Sequence, residues 1–267
     1  MITPGIVYAL TFAALALLFL RRSRATGVLP GTALEALLAG ALGAAVGTRF
    51  FHLVVSGKLL DLPPAAWLDP SEGTASWGAY LGAIAGLAAY SALTRSSPLP
   101  HLDVATSCAG LGDAIGRWAC YFAGDDFGIV SSVPWSIRFP AGSLAHQAHL
   151  SRGLIDPGAP ASLPVHPMQF YLMANGLVVF LLTSAAWRRS RHRPGVTAAA
   201  FLLLYGSTRF WWEFFRDPGG TGMMVFPSTS QWMCVLLVVA GAAALWLLRG
   251  RTHRPLRPAA VSAPPMN

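Results

Sequence analysis

Charged side chains are scarce in this sequence, and their scarcity excludes most soluble proteins. Asp, Glu, Lys and Arg make up 11% of the 267 residues, whereas soluble domains carry about 25%. Hydrophobic residues account for 54%, and the mean hydropathy is +0.51. Apolar stretches long enough to cross a bilayer, which takes ~20 residues, recur along the chain. The composition therefore predicts an all-α polytopic membrane protein.

Cysteine is also rare, with only Cys108, Cys120 and Cys234 in the chain. If Cys108 and Cys120 share one helix they lie ~18 Å apart, which is too far for a disulfide. The sequence has no Cys-x-x-Cys pair and no cluster of Cys and His with metal-ligand spacing. We therefore expect free thiols with packing roles, and neither redox chemistry nor a metal site.

The apolar stretches divide the chain into seven predicted membrane helices and one long loop. We predict a single membrane domain over residues 1–250, in which an outer (periplasmic) loop at 124–165 joins the fourth helix to the fifth. Residues 251–267 are rich in Pro and Arg, and we expect a disordered basic tail there. The predicted helices cover about 4–20, 33–56, 75–94, 104–123, 167–187, 196–215 and 230–248.

Lysine is almost absent: among the 19 basic residues, Lys58 is the only lysine. Eleven arginines concentrate in "RRSRATG", "RRSRHRPG" and "RGRTHRPLRP", which follow the first, fifth and seventh predicted helices. By the positive-inside rule the N-terminus lies outside and the C-terminus in the cytoplasm. Basic residues in short loops of this kind suit anionic lipid headgroups, not nucleic acid. They also follow the first apolar stretch, so we expect that stretch to be a membrane helix and not a cleaved signal peptide.

A few ionisable residues fall inside the predicted helices, where each one costs a few kcal/mol unless it faces a cavity or a partner. Asp113 and Arg117 are four residues apart, as are Arg209 and Glu213, so each pair lies on one helix face. Such pairs can simply neutralise each other. Several arginines in one membrane cavity, however, form an anion site, since guanidinium binds phosphate in a bidentate manner. The full set is Glu35, Arg49, Asp113, Arg117, Arg209 and Glu213.

Two short motifs begin the fifth and seventh predicted helices. "HPMQFY" (166–171) has Pro167 in the first helical turn, and its His166 is a cap, a base or a headgroup contact. "STSQW" (228–232) offers Ser and Thr hydroxyls that suit helix capping. Together with the arginines, these motifs favour an enzyme or a carrier that binds a lipid headgroup.

The motifs, taken in order, resemble the prolipoprotein diacylglyceryl transferase family. The match is carried by "GRWACYFAGDDFG", "HPMQFY", "YGSTRFWWEFFRDP" and "STSQW", preceded by "VYALTF" and "GTRFFHL". It extends from about Tyr8 to Gln231. The resemblance implies transfer of the diacylglyceryl group of phosphatidylglycerol to the lipobox cysteine of a prolipoprotein, with release of glycerol 1-phosphate and without any cofactor. It also implies the bacterial inner membrane and the seven-helix topology.

The resemblance implies roles for particular residues. Arg117 and Arg209 would bind the phosphate and stabilise the leaving group, and Glu213 would orient Arg209. Asp125 stands where the family has Glu and would hold the glycerol hydroxyls or an arginine. His166 completes the candidate catalytic set. The candidate substrate-binding residues are Tyr8, Arg49, Gln169, Arg216 and Gln231.

This sequence departs from the family where proton transfer is concerned. Trp77 stands where the family has a histidine often proposed as the base, and tryptophan cannot accept a proton from a thiol. Cys120 replaces a family asparagine, and Leu172 replaces a glutamate. The base is then another residue, such as His52 or His166. Alternatively, the chain acts on a different acceptor, or it binds or transports phospholipid without catalysis.

Overall fold

The computed structural model of the chain describes residues 4–61, 63, 67, 75–217 and 227–249, and these residues form an all-α fold. No strand occurs among them. A 3-10 turn, Glu213–Phe215, follows the seventh helix. The eight helices are α1 (Pro4–Ala25), α2 (Pro30–Val55), α3 (Ser76–Leu93), α4 (Leu99–Ala123), α5 (Leu144–Ser151), α6 (Met168–Ser190), α7 (Val196–Trp212) and α8 (Thr229–Arg249).

All seven predicted membrane segments are helical. The largest differences are at α1, which ends at Ala25 and not near 20, and at α4, which begins at Leu99 and not near 104. By length and composition, α1, α2, α6 and α8 are each apolar enough to cross a membrane, and α3 is apolar but shorter. Helix α4 carries Asp103, Asp113 and Arg117, and α7 has only 17 residues and includes Arg209. The predicted tail, 251–267, lies outside the described residues.

The closest helix contact joins α2 to α3 through glycines. A Cβ atom on Gly43 would lie 2.2 Å from the carbonyl oxygen of Gly82, and one on Gly47 would lie 2.3 Å from that of Gly78. Both distances are far below van der Waals contact. The two backbones therefore touch directly, as small residues allow in membrane helices that have no hydrophobic effect to hold them together.

A buried carboxylate fixes the start of α7 against α4. Asp103 of α4 is 4% exposed, and it accepts hydrogen bonds from the backbone N–H of Gly195 (2.7 Å) and Ala198 (2.8 Å). These N–H groups have no partner within α7, and the helix dipole favours a negative charge at that end. The contact sets the position of α7, whose far end carries Arg209.

The loop at 124–165 packs into a small unit of its own, called here the loop segment. Phe127, Phe139, Ala145 and Val165 form its core. Helix α5 lies within it and is capped by the Ser143 side chain, which accepts from the His146 N–H. Four isolated antiparallel backbone bridges hold the remainder in place, one of them joining Gly128 to Arg216 beyond α7.

We expect Gly43→Ala to lower the free energy of unfolding by about 1–3 kcal/mol, the usual cost of overpacking. The added methyl would meet the backbone of α3, which cannot move aside as a flexible side chain can. Thermal unfolding in detergent measures the change. Gly31→Ala in the same helix is the control, because a Cβ there meets nothing within 4 Å. Equal stability of the two variants would contradict the contact.

A second prediction concerns His149 in α5, which is fully buried and accepts a hydrogen bond from the N–H of Leu163 through Nδ1 at 3.1 Å. Burial lowers the pKa of His149, so the unfolded chain binds this proton more readily than the folded chain does. Stability should therefore fall as the pH drops below about 6.5, the pKa of an ordinary histidine.

His149→Gln should flatten this dependence, measured as unfolding midpoints between pH 5 and 7.5. His192→Gln changes an exposed histidine on the α6–α7 connection and should leave the dependence as it is. A His149→Gln protein with the same pH dependence as the unaltered chain would contradict the assignment.

Candidate active site

The end of α4, the start of the loop segment and the chain beyond α7 meet at one junction. Helix α4 stops at Gly124, whose left-handed φ of 66° reverses the chain and directs Asp125 and Asp126 back toward the bundle. The backbone then bonds to the segment beyond α7: Ile129 N–H donates to the carbonyl oxygen of Phe215 (3.0 Å), and Asp217 N–H donates to that of Phe127 (3.1 Å). These bonds hold Asp126 beside the 3-10 turn.

One continuous ion network occupies this junction. Arg117 of α4 pairs with Asp113 at 3.1 Å and also with Asp126. Arg216 binds the other oxygen of Asp126 and approaches Glu213 at 3.5 Å. The network has three arginines and three carboxylates, and it is completed by Arg209, which contacts Glu213 at 2.6 Å. The two i, i+4 pairs expected from the spacing are confirmed, and the structure brings them together.

The network lies largely out of solvent, where unpaired charge is costly. The Arg117 and Asp126 side chains are only 13% and 14% exposed. Burial would raise the pKa of Asp126, but Arg216, Arg117 and Arg209 outweigh burial and lower it to about 2. Neighbouring Asp125 has no such ion pair within the described residues, and its pKa is raised, first by desolvation and then by the charge of Asp126. The network therefore holds Asp126 as a carboxylate.

Asp126 is the residue that sequence reasoning missed. The sequence contains two consecutive aspartates, and the match to the family's glutamate drew attention to Asp125. In the structure Asp125 accepts a hydrogen bond from the Asp126 N–H through Oδ1 at 2.7 Å, while Asp126 bridges the arginines. The signal in the sequence was the second of the two consecutive aspartates. A carboxylate directly after a helix that carries a buried arginine can pair with that arginine.

The two glutamines of the short motifs lie at the edges of the network. Gln169 is fully buried, and its Nε2 donates to the backbone oxygen of Asp125 at 2.6 Å; its Oε1 has no hydrogen-bond partner within the described residues. Gln231 accepts from the N–H of Ser228 at 2.9 Å. Ser228 Oγ in turn donates to Glu213 at 3.3 Å, so Gln231 supports the network through Ser228.

His166 lies beside the network and is joined to it by backbone. Its carbonyl oxygen accepts from the Gly128 N–H at 3.1 Å, and its ring centroid is 5.6 Å from that of Phe215. Nδ1 of His166 is 3.2 Å from the hydroxyl of Tyr171. The Tyr171 hydroxyl therefore fixes the orientation of the His166 imidazole.

The remaining sequence candidates lie on the first three helices. Tyr8 of α1 is 55% exposed and lies within electrostatic range of Arg117 and Asp125. Arg49 of α2 is buried at 3% exposure and donates from Nε to the carbonyl oxygen of Trp67 at 3.1 Å, a partner outside the network. Trp77 of α3 donates from Nε1 to Ser230 Oγ of α8 at 3.3 Å.

Fold and site together define a polytopic helical membrane protein with a largely buried network of carboxylates and of arginines from α4, α7 and the residue after the 3-10 turn. The chain belongs to the prolipoprotein diacylglyceryl transferase family, whose sequence model matches residues 3–247. Apolar helices and family membership make it a bacterial inner-membrane protein.

Several relatives carry the name phosphatidylglycerol–prolipoprotein diacylglyceryl transferase. The one from Paracidovorax citrulli is 34% identical over 224 residues, covering 80% of this chain and 74% of the relative. That from Nitrosomonas europaea is 30% identical over 253 residues, with 91% and 84% covered. That from Psychrobacter arcticus is 29% identical over 254 residues, with 89% and 85% covered.

Proposed function

We propose that this protein transfers the diacylglyceryl group of phosphatidylglycerol to the lipobox cysteine of a prolipoprotein. The observation that carries the proposal is the buried network in which Arg117, Arg209 and Arg216 converge. Such a cluster suits the phosphate of a membrane lipid. The names of the relatives given above state that they are transferases that use phosphatidylglycerol. Family membership supports the same reaction.

The reaction moves charge onto the phosphate. The acceptor thiol loses its proton, and sulfur attacks the diacylglyceryl carbon that carries the phosphate oxygen. The carbon–oxygen bond breaks, and glycerol 1-phosphate leaves with its electron pair. Donors aimed at such a leaving group are usually the largest catalytic contribution. We assign this role to Arg117 and Arg209, with Arg216 on the same phosphate and Glu213 orienting Arg209.

The other candidates suit the headgroup and the proton. The unpartnered Oε1 of buried Gln169 would accept from a glycerol hydroxyl, and Asp125 next to it would hold another. His166 at the edge of the network would carry the released proton to solvent. Tyr8 faces the network from α1. In this assignment Arg49 contacts the substrate from α2, and Gln231 contacts it from α8.

We further propose that all seven long helices span the membrane as one domain, residues 1–250, with the N-terminus outside. The arginine-rich connections then face the cytoplasm, and the ion network, together with the loop segment, faces the outside. This orientation places the site on the side where a secreted prolipoprotein presents its cysteine. It also places the tail at 251–267 in the cytoplasm.

A second candidate function rests on Trp77. The indole occupies the position of the family histidine and is bonded to Ser230, so that position supplies no base. A divergent enzyme with another acceptor, or a protein that binds or transports phospholipid without catalysis, would keep the arginines and lose the base. One assay separates these functions: purified protein, labelled phosphatidylglycerol and a lipobox peptide, with both products measured.

Lipidated peptide together with glycerol 1-phosphate would support the transferase. Glycerol 1-phosphate without lipidated peptide would indicate another acceptor. Neither product, from a protein that binds the lipid, would indicate a binding protein.

In the same assay, Arg117→Gln and Arg209→Gln should each lower the transfer rate at least about 100-fold, because each removes a donor from the leaving group in a low-dielectric site. Arg138→Gln is the matched control: Arg138 lies in the loop segment and donates to the carbonyl oxygen of Ser162 at 3.3 Å. Size exclusion and thermal unfolding would verify that each variant folds. Near-normal rates in both network variants would refute the phosphate assignment.

A further inference from the structure

Asp126 occupies the position that a phosphate would take between two guanidinium groups. One carboxylate oxygen contacts Arg117 and the other contacts Arg216. Two oxygens of a phosphate group bind two arginines in the same way. The lipid phosphate and Asp126 therefore compete for the same donors, and only one of them can hold both arginines at once.

Of the three carboxylates, Asp126 is the one whose side chain is best placed to turn away, because it lies in a turn and not in a helix. Its φ of 54° is left-handed, a conformation that aspartate adopts in turns more readily than most residues other than glycine. It follows the left-handed Gly124 by two residues, in a turn outside any helix. Asp113, by contrast, is fixed on α4 one turn from Arg117, and Glu213 is held by both Arg209 and Ser228.

The charge balance also requires a carboxylate to leave. Arg117, Arg209 and Arg216 are matched by three carboxylates, so an added phosphate would meet a network that is already neutral. Its negative charge would gain little there. If Asp126 withdraws, Arg117 and Arg216 are free to receive the charge that develops on the leaving group.

A thiol of this chain already reaches the same carboxylate. Sγ of Cys120 lies 3.9 Å from Oδ2 of Asp126 and donates toward it. Asp126 therefore already has a thiol as a hydrogen-bonding neighbour. Trp77 supplies no base at the family's histidine position, and a carboxylate within reach of sulfur can accept a proton there.

We propose that phosphatidylglycerol displaces Asp126 from Arg117 and Arg216, and that the released carboxylate then accepts the proton of the acceptor thiol. This inference rests on the proposed transferase function. The proton passes from sulfur to an Asp126 oxygen, and the sulfur electron pair forms the bond to the glycerol carbon. The carbon–oxygen bond breaks toward the phosphate, which leaves as glycerol 1-phosphate held by the two arginines. The proton then passes from Asp126 to solvent, which in the assignment above it reaches through His166.

The surroundings of Asp126 explain why exchange must precede proton transfer. Arg216, Arg117 and Arg209 hold the pKa of Asp126 at about 2, where it is a poor base. Once phosphate neutralises those arginines, this pKa returns toward the ordinary range and is raised further by burial. The groups facing it are Arg117 and Cys120 on α4, Arg209 on α7, Glu213 on the 3-10 turn, Arg216 directly after that turn, Asp125 next to it, and Tyr8 on α1.

The first measurement is the affinity of lipid-free protein for glycerol 1-phosphate, by calorimetry in detergent. Asp126→Asn removes the competing charge and should bind about tenfold more tightly, which corresponds to about 1.4 kcal/mol. Asp156→Asn is the control, since Asp156 is an exposed carboxylate of the loop segment, and its affinity should equal that of the unaltered chain. Weaker or equal binding by Asp126→Asn would overturn the exchange.

The second measurement is transfer to a lipobox peptide as a function of pH. Asp126→Asn should lower the rate at pH 7 at least about 100-fold, the usual contribution of a general base. The residual rate should rise about tenfold per pH unit, because thiols ionise near pH 8.5. Asp126→Glu keeps a carboxylate and should restore a flat pH profile. A loss without this pH dependence would mean a structural role and would overturn the proposal.

Two further outcomes are decisive. Normal turnover by Asp126→Asn, with the loss found in His166→Gln instead, would assign the proton to His166 and overturn the proposal. If Asp126→Asn does not fold, as judged by size exclusion, Asp126→Ser takes its place in both measurements. Failure of the transferase function would appear separately, as no lipidated peptide from the unaltered chain, while the binding measurement still decides the exchange.

Discussion

The structure depends on neutralising arginine charge inside a bilayer. Guanidinium stays protonated at any accessible pH, so a buried arginine needs a counterion, and this chain supplies one for each of Arg117, Arg209 and Arg216. The counterions come from different sources. Asp113 and Glu213 come from the same helical register as their partners, whereas Asp126 comes from a turn. That difference separates permanent partners from a replaceable one, and it determines which arginines can exchange a carboxylate for a phosphate.

The rest of the fold serves to bring that turn and those helices together. Asp103 holds the start of α7 against α4, so the charged ends of both helices reach the same level. The loop segment has its own apolar core and bonds to the chain beyond α7 through Gly128 and Ile129. A loop of this length would otherwise leave Asp126 without a fixed position. Much of the loop segment thus serves to fix the position of Asp126.

Sequence reasoning predicted what depends on local periodicity, and it missed what depends on the path of the chain between helices. Apolar runs predicted the seven long helices, and the spacing of four residues predicted both i, i+4 pairs; the structure confirms these features. The bridge from Asp126 to Arg216 joins positions 90 residues apart, and no period in the sequence reports such a contact. Likewise, the capping of α7 by Asp103 depends on how two helices pack.

The glycine contacts bear on how a lipid with two acyl chains reaches the arginines. Backbone touches backbone between α2 and α3, and nearly so between α4 and α6, where a Cβ on Gly110 would lie 2.6 Å from the Gly176 carbonyl oxygen. Between α7 and α8, a Cβ on Gly206 would lie 2.9 Å from the Cys234 carbonyl oxygen. At each of these three helix contacts the gap between the helices is narrower than a hydrocarbon chain. A lipid that reaches the arginines from the bilayer therefore does not pass between the two helices of any of these three pairs.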